Sequence, residues 1–442
     1  MDTPICDFVR RYAADNPLRL HMPGHKGKGE LGIEHLDITE VDGADVLYRA
    51  EGIIARSQEN ATALFGAQRT LYSAEGSSLC IRGMLHLALL YAKATGRPPR
   101  IAAARNAHSV FLTAAALLDV EVDWLRGTED SLLTCRVTPE QLDTYLSHTP
   151  TVVVYITSPD YLGNTADIAA LAQVCHRHGT LLLVDNAHGA YLRFLSPSRH
   201  PIDAGADLCC DSAHKTLGVL TGGAYLHIGK NAPALLAEQA ASSLALFAST
   251  SPSYLILQSL DLANKRLAGD YPARLAACAA ALTALKERLS AKGWRLVGDE
   301  PLKLTLAPKS YGYTGTELAA RLAADGIHVE CSDPDHLVCM FTPEGDEDAV
   351  SRLERALDSL PPRSPITTLP PPLPVLRQQI SPREALLSLG EECAAEHCVG
   401  RILATPAITC PPAVPIAVCG EVLDEQAVAL LCYYGITHCR VI

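Results

Sequence analysis

Short, continuous apolar runs recur along this chain and constrain its fold more than any other feature. Two of them are residues 151–157 and 180–185, which read TVVVYIT and TLLLVD. Between them, residues 167–178 repeat apolar side chains at helical spacing, which predicts an amphipathic helix. Strands buried on both faces have continuous apolar sequences, because helices cover both sides of a mainly parallel sheet. The pattern therefore predicts an α/β fold.

The same alternation extends over most of the chain. A helix is expected to begin at His108, and a long helical, Ala- and Leu-rich region is expected over 253–293. A second, smaller α/β unit is expected after it, with helices near 316–324 and 347–357. The remaining strands are expected at 100–104, 207–212, 223–228, 302–307 and 336–341.

The length of the chain favours several domains. A chain of 442 residues, 48% of them hydrophobic, is too long for one ordinary core. The proline-rich stretch 361–374 cannot form a helix or a central strand, since proline lacks the backbone N–H, and we expect a linker there. Ser381 and Pro382 then suit the N-cap and first turn of a helix. We expect an N-terminal segment 1–60, a large domain 61–260, a small α/β domain 261–360, the linker and a C-terminal segment 375–442.

Composition argues against several classes of protein. The formal net charge is −12 and no Lys/Arg-rich block stands out, so no nucleic-acid partner is expected. The 15 cysteines are scattered without CxxC pairs or zinc spacing, and we expect reduced thiols, no metal and a cytoplasmic location. The N-terminus lacks the apolar core of a signal peptide, and no run of 18 apolar residues predicts a membrane span.

Lys215 and Asp185 carry the first chemical prediction. Lys215 follows the strand expected at 207–212, and taken alone a strand-end lysine more often reaches solvent. Asp185 lies 30 residues earlier and ends another strand, so parallel pairing brings both residues to the carboxyl edge where α/β sheets bind ligands. Pyridoxal-5′-phosphate (PLP) needs a lysine for its Schiff base and a carboxylate facing its pyridine nitrogen. The pair predicts a PLP enzyme, although a lone strand-end aspartate is more often a helix cap.

Two further motifs suit the same cofactor. Gly76, Ser77 and Ser78 precede a helical sequence, where hydroxyls and free N–H groups can hold a phosphate, although serine is also the usual N-cap. His108 follows the strand expected at 100–104. Its imidazole can stack on a pyridine ring, although a lone histidine is more often a surface or capping residue. Both motifs therefore gain weight only beside the Lys215–Asp185 pair.

The segment HMPGHKG, residues 21–27, places two histidines, a lysine and two glycines together. Metal ligation by His21 and His25 is one reading, but no carboxylate or cysteine follows at helical spacing. An ordered loop near the substrate entrance or a dimer contact is the favoured reading.

These motifs, in this order, resemble the bacterial ornithine/lysine/arginine decarboxylases, a family of fold-type I PLP enzymes. HMPGHKG and SAHKT together are far more specific than a general PLP signature. The N-terminal wing of longer family members is not expected here, and the chain resembles the short form. The matching segments are HMPGHKG (21–27), DITE-x-DG-x-D (37–45), LFGA (64–67), the Gly-Ser-Ser turn, RNAHSV (105–110), TSPDYLGN (157–164), LLLVDNAHGA (181–190), DSAHKTLGVLTGGA (211–224), STSPSYLILQSLD (249–261), GIHVE (326–330), SPREA (381–385), GRILA (400–404) and Gly420-Glu421.

The resemblance implies a fold and a role for each matching residue. Residues 61–260 become an aspartate-aminotransferase-like, PLP-binding large domain and 375–442 a C-terminal decarboxylase domain. A homodimer is the implied minimal active unit. The implied roles are the Schiff base for Lys215, the pyridine nitrogen for Asp185, ring contacts for Ala187 and His188, ring stacking for His108, phosphate binding for Gly76, Ser77 and Ser78, phosphate and substrate contacts for Ser212 and His214, a phosphate contact across the dimer for Thr250, and the distal cationic group of the substrate for Glu421.

The sequence leaves the family pattern at three places. Asn186 replaces an acidic residue in the usual VDEAHG, Cys419 replaces the proline before Gly420-Glu421, and Cys410-Pro411-Pro412-Ala413 alters an earlier segment. These departures concern substrate specificity and activity rather than cofactor binding. For Glu421 alone, a solvated surface carboxylate remains the alternative.

The implied activity is decarboxylation of lysine, ornithine or arginine to CO2 and a di- or polyamine, by a carboxy-lyase of polyamine biosynthesis with Lys215 or His214 as proton donor. Homodimers or higher homo-oligomers are implied. An aminotransferase or C–S lyase is one alternative, but strand 336–341 lacks the arginine with which aminotransferases typically hold the α-carboxylate. A catalytically weakened, decarboxylase-like binding or regulatory protein is another, motivated by Asn186 and the changes near Glu421. The substrates differ too little for the sequence to choose.

Overall fold

The computed structural model describes residues 1–128, 131–408 and 413–442. These residues form two compact units. The first consists of Met1–Pro99, Val152–Val154 and Ile168–Arg274, and the second of Arg100–Thr151, Tyr155–Asp167 and Leu275–Ile442. The finer division expected from the sequence stays a prediction.

Helices and strands alternate along the chain, as the apolar runs predict. The helices are α1 (Pro4–Ala14), α2 (Ile53–Phe65), α3 (Gly76–Thr95), α4 (Ser109–Leu118), α5 (Pro139–His148), α6 (Ile168–Arg177), α7 (Ala213–Thr216), α8 (Ala234–Ala245), α9 (Tyr254–Leu267), α10 (Tyr271–Ala291), α11 (Gly315–Ala324), α12 (Ala349–Asp358), α13 (Pro382–Leu387) and α14 (Glu425–Tyr433). The strands are β1 (Arg69–Ser73), β2 (Arg100–Ala104), β3 (Glu121–Leu125), β4 (Val153–Thr157), β5 (Leu181–Asp185), β6 (Leu208–Asp211), β7 (Ala224–Ile228), β8 (Arg295–Val297), β9 (Lys303–Ala307), β10 (Cys331–Ser332), β11 (Leu337–Met340), β12 (Glu391–Ala394), β13 (Ala407–Ile408), β14 (Ala417–Val418) and β15 (His438–Val441).

In the first unit, the strands lie in the order β1-β7-β6-β5-β4. Strands β5 and β6 are parallel, with Asp185 beside Cys210 at the end of the ladder. Strand β7 runs antiparallel to both β6 and β1. Every residue of β5 and β7 is buried, which explains their continuous apolar sequences. The ends of β5 and β6 therefore lie side by side at one edge of this sheet.

In the second unit, β3 pairs with β2 in parallel. A separate four-stranded sheet has the order β10-β11-β9-β8 and is antiparallel throughout. The expected strands at 302–307 and 336–341 are β9 and β11 of this sheet. Strands β3 and β8 escaped the sequence analysis because half-exposed and polar residues interrupt their apolar pattern.

The proline-rich stretch has no regular secondary structure, as predicted, and its role as a linker stays a prediction. Residues 361–377 hold no helix or strand. Helix α13 follows, and Ser381 and Glu384 form a capping box with Pro382 in the first turn. The C-terminal segment has its own buried apolar cluster, which includes Leu403 and Leu430. Within the part of the chain that the structure describes, no helix combines the length and the apolar character needed to cross a membrane.

Candidate active site

Lys215 lies in the single turn α7, four residues beyond the end of β6. Its backbone N–H donates to Ser212 O at 2.9 Å, which fixes the turn. Its Nζ lies 3.0 Å from Nε2 of the buried His188. The side chain is half-buried and directed at an imidazole. Lys215 therefore has a specific side-chain partner, which a lysine that simply reaches solvent lacks.

Asp185 ends β5 and is only 2% exposed. Its Oδ1 accepts a hydrogen bond from Ala187 N at 3.2 Å and a weaker one from Cys210 Sγ at 3.6 Å. Because β5 and β6 are parallel neighbours, this carboxylate and the turn that carries Lys215 belong to the same edge of the sheet. The geometry brings together the two residue types that a pyridoxal ring requires.

The N-terminus of α3 supplies the phosphate chemistry. Gly76 opens this 20-residue helix with φ +70°, and its N-cap makes no side-chain capping bond. Ser212 donates from its hydroxyl to Ser77 Oγ at 2.7 Å, which joins this helix end to the end of β6. A Cβ on Gly76 would meet no atom closer than His214 Cε1, at 4.0 Å. Small residues, hydroxyls and a helix N-terminus suit a phosphate dianion, so the residues present fit PLP.

His214 is held by one backbone carbonyl. Its main-chain N–H and its Nδ1–H both donate to Gly223 O, at 3.1 and 3.0 Å. Burial lowers the pKa of His214, and the neighbouring Lys215 lowers it further. The imidazole is therefore neutral at pH 7, with Nε2 available as an acceptor.

Ser78 and Thr250 complete the predicted residues of the first unit. Ser78 is half-buried in the first turn of α3. Thr250 is exposed in the segment between α8 and α9. Its neighbour Ser249 donates from N–H to Glu75 Oε1 at 2.8 Å, so this segment is tied to the residue that precedes α3.

His108 and Glu421 belong to the second unit. His108 is exposed and caps α4, where its Nδ1 accepts from Val110 N at 3.2 Å. Its stacking role stays a prediction. Glu421 is 1% exposed, and its Oε2 accepts from the guanidinium of Arg105 at 2.7 Å and from Val418 N at 2.9 Å. The alternative of a solvated surface carboxylate is therefore wrong.

Sequence reasoning missed the partner of Glu421. Arg105 stands in the RNAHSV segment, and its guanidinium also lies 5.1 Å from the Trp124 ring. Its NH1 is buried without a hydrogen-bond partner among the described residues. The sequence separates the two charges by 316 residues, and no spacing rule links them. The altered segment Cys410-Pro411-Pro412-Ala413 precedes Glu421 in the chain, and its residues 410–412 lie outside the described residues.

The two histidines of the HMPGHKG segment bond to residues outside it. His21 Nε2 lies 2.6 Å from Tyr12 OH, and His25 Nε2 lies 3.2 Å from Asp37 Oδ2. Among the described residues, the group with metal-like spacing lies elsewhere and consists of His200, Cys209 and Asp211. Neither histidine of HMPGHKG joins it.

That buried group reads better as a hydrogen-bond network than as a metal centre. Asp211 Oδ2 accepts from His200 Nε2 at 3.0 Å and from His227 Nε2 at 3.1 Å, and its Oδ1 accepts from Asn186 Nδ2 at 2.7 Å. The protons on these donors already occupy the carboxylate. The sequence signal that could have revealed this network is His227, a histidine within the buried run AYLHI. The described cysteines, Cys209 included, are free thiols in the structure.

Comparisons with known proteins point to one family. The family model described as Orn/Lys/Arg decarboxylase, major domain, matches residues 3–297. An arginine decarboxylase of Bacillus subtilis is 27% identical over 97% of this chain and 93% of its own length. One of Halalkalibacterium halodurans is 28% identical over 97% of this chain and 92% of its own.

Solved structures show the fold. The constitutive lysine decarboxylase of E. coli superimposes with a TM-score of 0.76 at 19% identity, over all of this chain and 82% of that chain. Fold-type I PLP enzymes of other activities share the fold at lower TM-scores, among them the serine palmitoyltransferase of Sphingomonas wittichii at 0.58. The α/β, fold-type I class expected from the sequence is confirmed. Since the family model covers well over half of the residues, this chain belongs to the Orn/Lys/Arg decarboxylase family.

Proposed function

We propose that this protein is a PLP-dependent carboxy-lyase that converts a basic L-amino acid to CO2 and the corresponding amine. The observation that carries the proposal is the meeting of Lys215 with His188 at the end of β6, beside the buried carboxylate of Asp185 at the end of β5. When bound, PLP supplies an electron sink for the electron pair that the departing CO2 leaves behind.

The residues of the first unit have distinct tasks in this proposal. Lys215 would hold the cofactor covalently through its Nζ. Asp185 keeps a proton on the pyridine nitrogen, because a buried carboxylate stabilises the cation opposite it. Ser77, Ser78 and Ser212 bind the phosphate with the N–H groups of α3, and Gly76 leaves room for it. Ala187 and His188 border the ring.

The return of a proton to the α-carbon falls to Lys215. Burial lowers the pKa of His214, so its imidazole is a poor proton donor at pH 7. Its Nδ1–H is also committed to Gly223 O at 3.0 Å. The Lys215 amine would carry this proton on Nζ, and His214 Nε2 would orient the substrate or the phosphate as an acceptor.

Arginine is the first substrate to test, because the curated relatives are named arginine decarboxylases. We propose a cytoplasmic homodimer in polyamine biosynthesis, in which Thr250 reaches the phosphate of the partner's site, His108 stacks on the ring and Glu421 meets the distal cationic group. That last role requires Glu421 to share its carboxylate between Arg105 and the substrate. Its Oε2 accepts from Arg105 at 2.7 Å and from Val418 N at 2.9 Å, and neither bond involves Oε1.

The same ion pair supports a second candidate function. If Arg105 already neutralises Glu421, a cationic substrate tail gains little there, and a decarboxylase scaffold that binds amino acids without turnover becomes the alternative. Arginine, lysine and ornithine are each incubated with the PLP-loaded protein, and released CO2 and amine are measured. Decarboxylation of one of them supports the proposal. A bound cofactor with no CO2 from any of the three favours the binding protein, and a keto acid favours an aminotransferase.

A further inference from the structure

Consecutive residues at the end of β5 face opposite sides of the sheet. Asp185 receives the Sγ–H of Cys210, its register partner on β6, at 3.6 Å. Asn186 instead donates from Nδ2 to Asp211 Oδ1, the next residue of β6, at 2.7 Å. Because side chains alternate along a strand, Asn186 and Asp211 lie behind the face that carries Asp185. Asn186 is 0% exposed, so this departure from the family pattern is remote from solvent.

Behind the sheet, Asp211 is the centre of a fully buried polar unit. Asn186, His200 and His227 all donate to it, and each of the four side chains is 0% exposed. His200 Nδ1 accepts from Ile202 N at 3.3 Å, which places the His200 proton on Nε2. We define these four residues as the Asp211 unit.

The Asp211 unit holds one negative charge. Burial alone raises the pKa of Asp211, but His200 and His227 outweigh that effect and hold the pKa below its ordinary value. Burial lowers the pKa of His227, so its ring is neutral at pH 7. Cys80, Cys209 and Tyr225, which face the unit from α3, β6 and β7, have pKa values raised by burial and are neutral as well. Of the charged groups nearby, Asp185 on β5 acts on Cys209, Arg193 acts on His227, and Arg266 and Asp261 act on Tyr225.

A carboxylate at position 186 would change this balance. It would face Asp211 at about the present 2.7 Å, and two carboxylates at that distance cannot both be ionised in a buried site. Its second oxygen would replace Asn186 Oδ1, which is buried without a hydrogen-bond partner among the described residues. The new carboxyl group would therefore bind a proton at neutral pH.

We propose that the Asp211 unit is a positioning device that clamps the ends of β5 and β6 from behind, and that Asn186 is the residue that limits it to one anion. Asp185 directly precedes Asn186, and Ser212 directly follows Asp211. The bond between Asn186 and Asp211 therefore fixes the spacing between the carboxylate of Asp185 and the turn of Lys215. This role is independent of which substrate the protein uses.

The proposal predicts a stability effect with a definite sign. In Asn186→Asp, the added carboxyl group has a folded-state pKa above its unfolded value of about 3.9. The folded state then binds the extra proton, and stability relative to wild type is lost as pH rises from about 4 to the folded-state pKa. For one proton, the ratio of folded to unfolded protein falls by up to about tenfold per pH unit over that window.

Urea unfolding of the full chain between pH 5 and 9 measures this ratio for wild type, Asn186→Asp and Asn186→Ala. Asn231→Asp, at an exposed position, is the control for an added charge. The proposal expects the pH-dependent loss in Asn186→Asp alone and a smaller, pH-independent loss in Asn186→Ala. In the PLP-loaded proteins, the visible cofactor band should titrate with the same midpoint in Asn186→Asp. Parallel pH curves for Asn186→Asp and Asn231→Asp would overturn the proposal.

If Asn186→Asp does not fold, a measurement on the wild-type protein still tests the proposal. The ring resonances of ¹⁵N-labelled protein should show the Nε2–H of His227 unchanged between pH 6 and 8, and a titration of that ring in this range would contradict a unit with one fixed charge. Neither the unfolding measurement nor the ring resonances require catalysis. The proposal for the Asp211 unit can therefore fail or succeed independently of the proposed decarboxylation.

Discussion

The end of β6 in the first unit and the turn at Glu421 in the second each bury a carboxylate, by different means. Asp211 accepts from an amide and two neutral imidazoles, whereas Glu421 accepts from the guanidinium of Arg105. Neutral donors leave the negative charge in place, while the guanidinium cancels it. The first region therefore keeps a fixed negative charge, which raises the pKa values of nearby thiols. In the second region, the position of Glu421 depends on a single cation, Arg105.

The largest expected effect tests the chemistry of the first region. Lys215→Ala should lower CO2 release by more than about 10³-fold, because no other amine of the proposed site can replace the covalent link and the proton. The visible absorption band of bound PLP should disappear as well. Lys230→Ala, at an exposed lysine after β7, is the matched control and should retain both signals. An unchanged band in Lys215→Ala would disprove the assignment.

The next effect tests the cation of the second region. Arg105→Met leaves Glu421 buried and unpaired, which should cost about 3–5 kcal/mol of unfolding free energy. The double variant with Glu421→Gln should recover much of that loss. Arg100→Met removes an ion pair whose arginine is 36% exposed and should cost at most about 1 kcal/mol. Urea unfolding measures these losses. Equal losses of unfolding free energy in Arg105→Met and Arg100→Met would contradict the special dependence of Glu421 on Arg105.

A smaller effect separates the regions by pH. The folded-state pKa of His227 lies below its unfolded value of about 6.5, so the folded ring binds fewer protons and its contribution to stability is lost as pH falls through that value. The stability difference between wild type and His227→Gln should shrink by up to about 1.4 kcal/mol per pH unit below pH 6.5. His148→Gln, at an exposed histidine, should show no such trend.

The smallest effect concerns the phosphate cradle. Ser77→Ala removes one hydroxyl that accepts from Ser212 at 2.7 Å, and should cost about 0.5–1.5 kcal/mol in the binding of PLP. The affinity should fall by up to about tenfold, measured by titration of the visible band. Ser242→Ala, an exposed helical serine of α8, provides the control. A loss of affinity as large as in Lys215→Ala would argue against this modest role.

The first region was largely predictable from sequence. The apolar runs located β5 and β6, and parallel pairing placed Asp185 and the turn of Lys215 at one edge. Alternation along a strand could also have shown that Asn186 faces away from Asp185, so that its replacement alters the back of the sheet and not the ring contact.

The second region could not be predicted in the same way. Its central contact joins residues 316 positions apart, and only the folded chain brings Arg105 to Glu421. The loop of Glu421 also has no periodic pattern, because a tight turn and two short bridges determine it rather than a helix or a long strand. Local sequence rules predict helices, strands and their ends. They do not predict contacts between loops that are distant in the sequence.

Gly420 has a consequence for anyone who recombines members of this family. It has φ +87°, and a Cβ there would lie 2.2 Å from Ile380 O, a residue just beyond the proline-rich stretch. Gln379 N–H also donates to Gly420 O at 2.8 Å. A hybrid enzyme joined between residue 380 and the turn would inherit the two halves of this contact from different parents. The exchangeable module that carries Glu421 therefore starts within the proline-rich stretch and runs to the last residue.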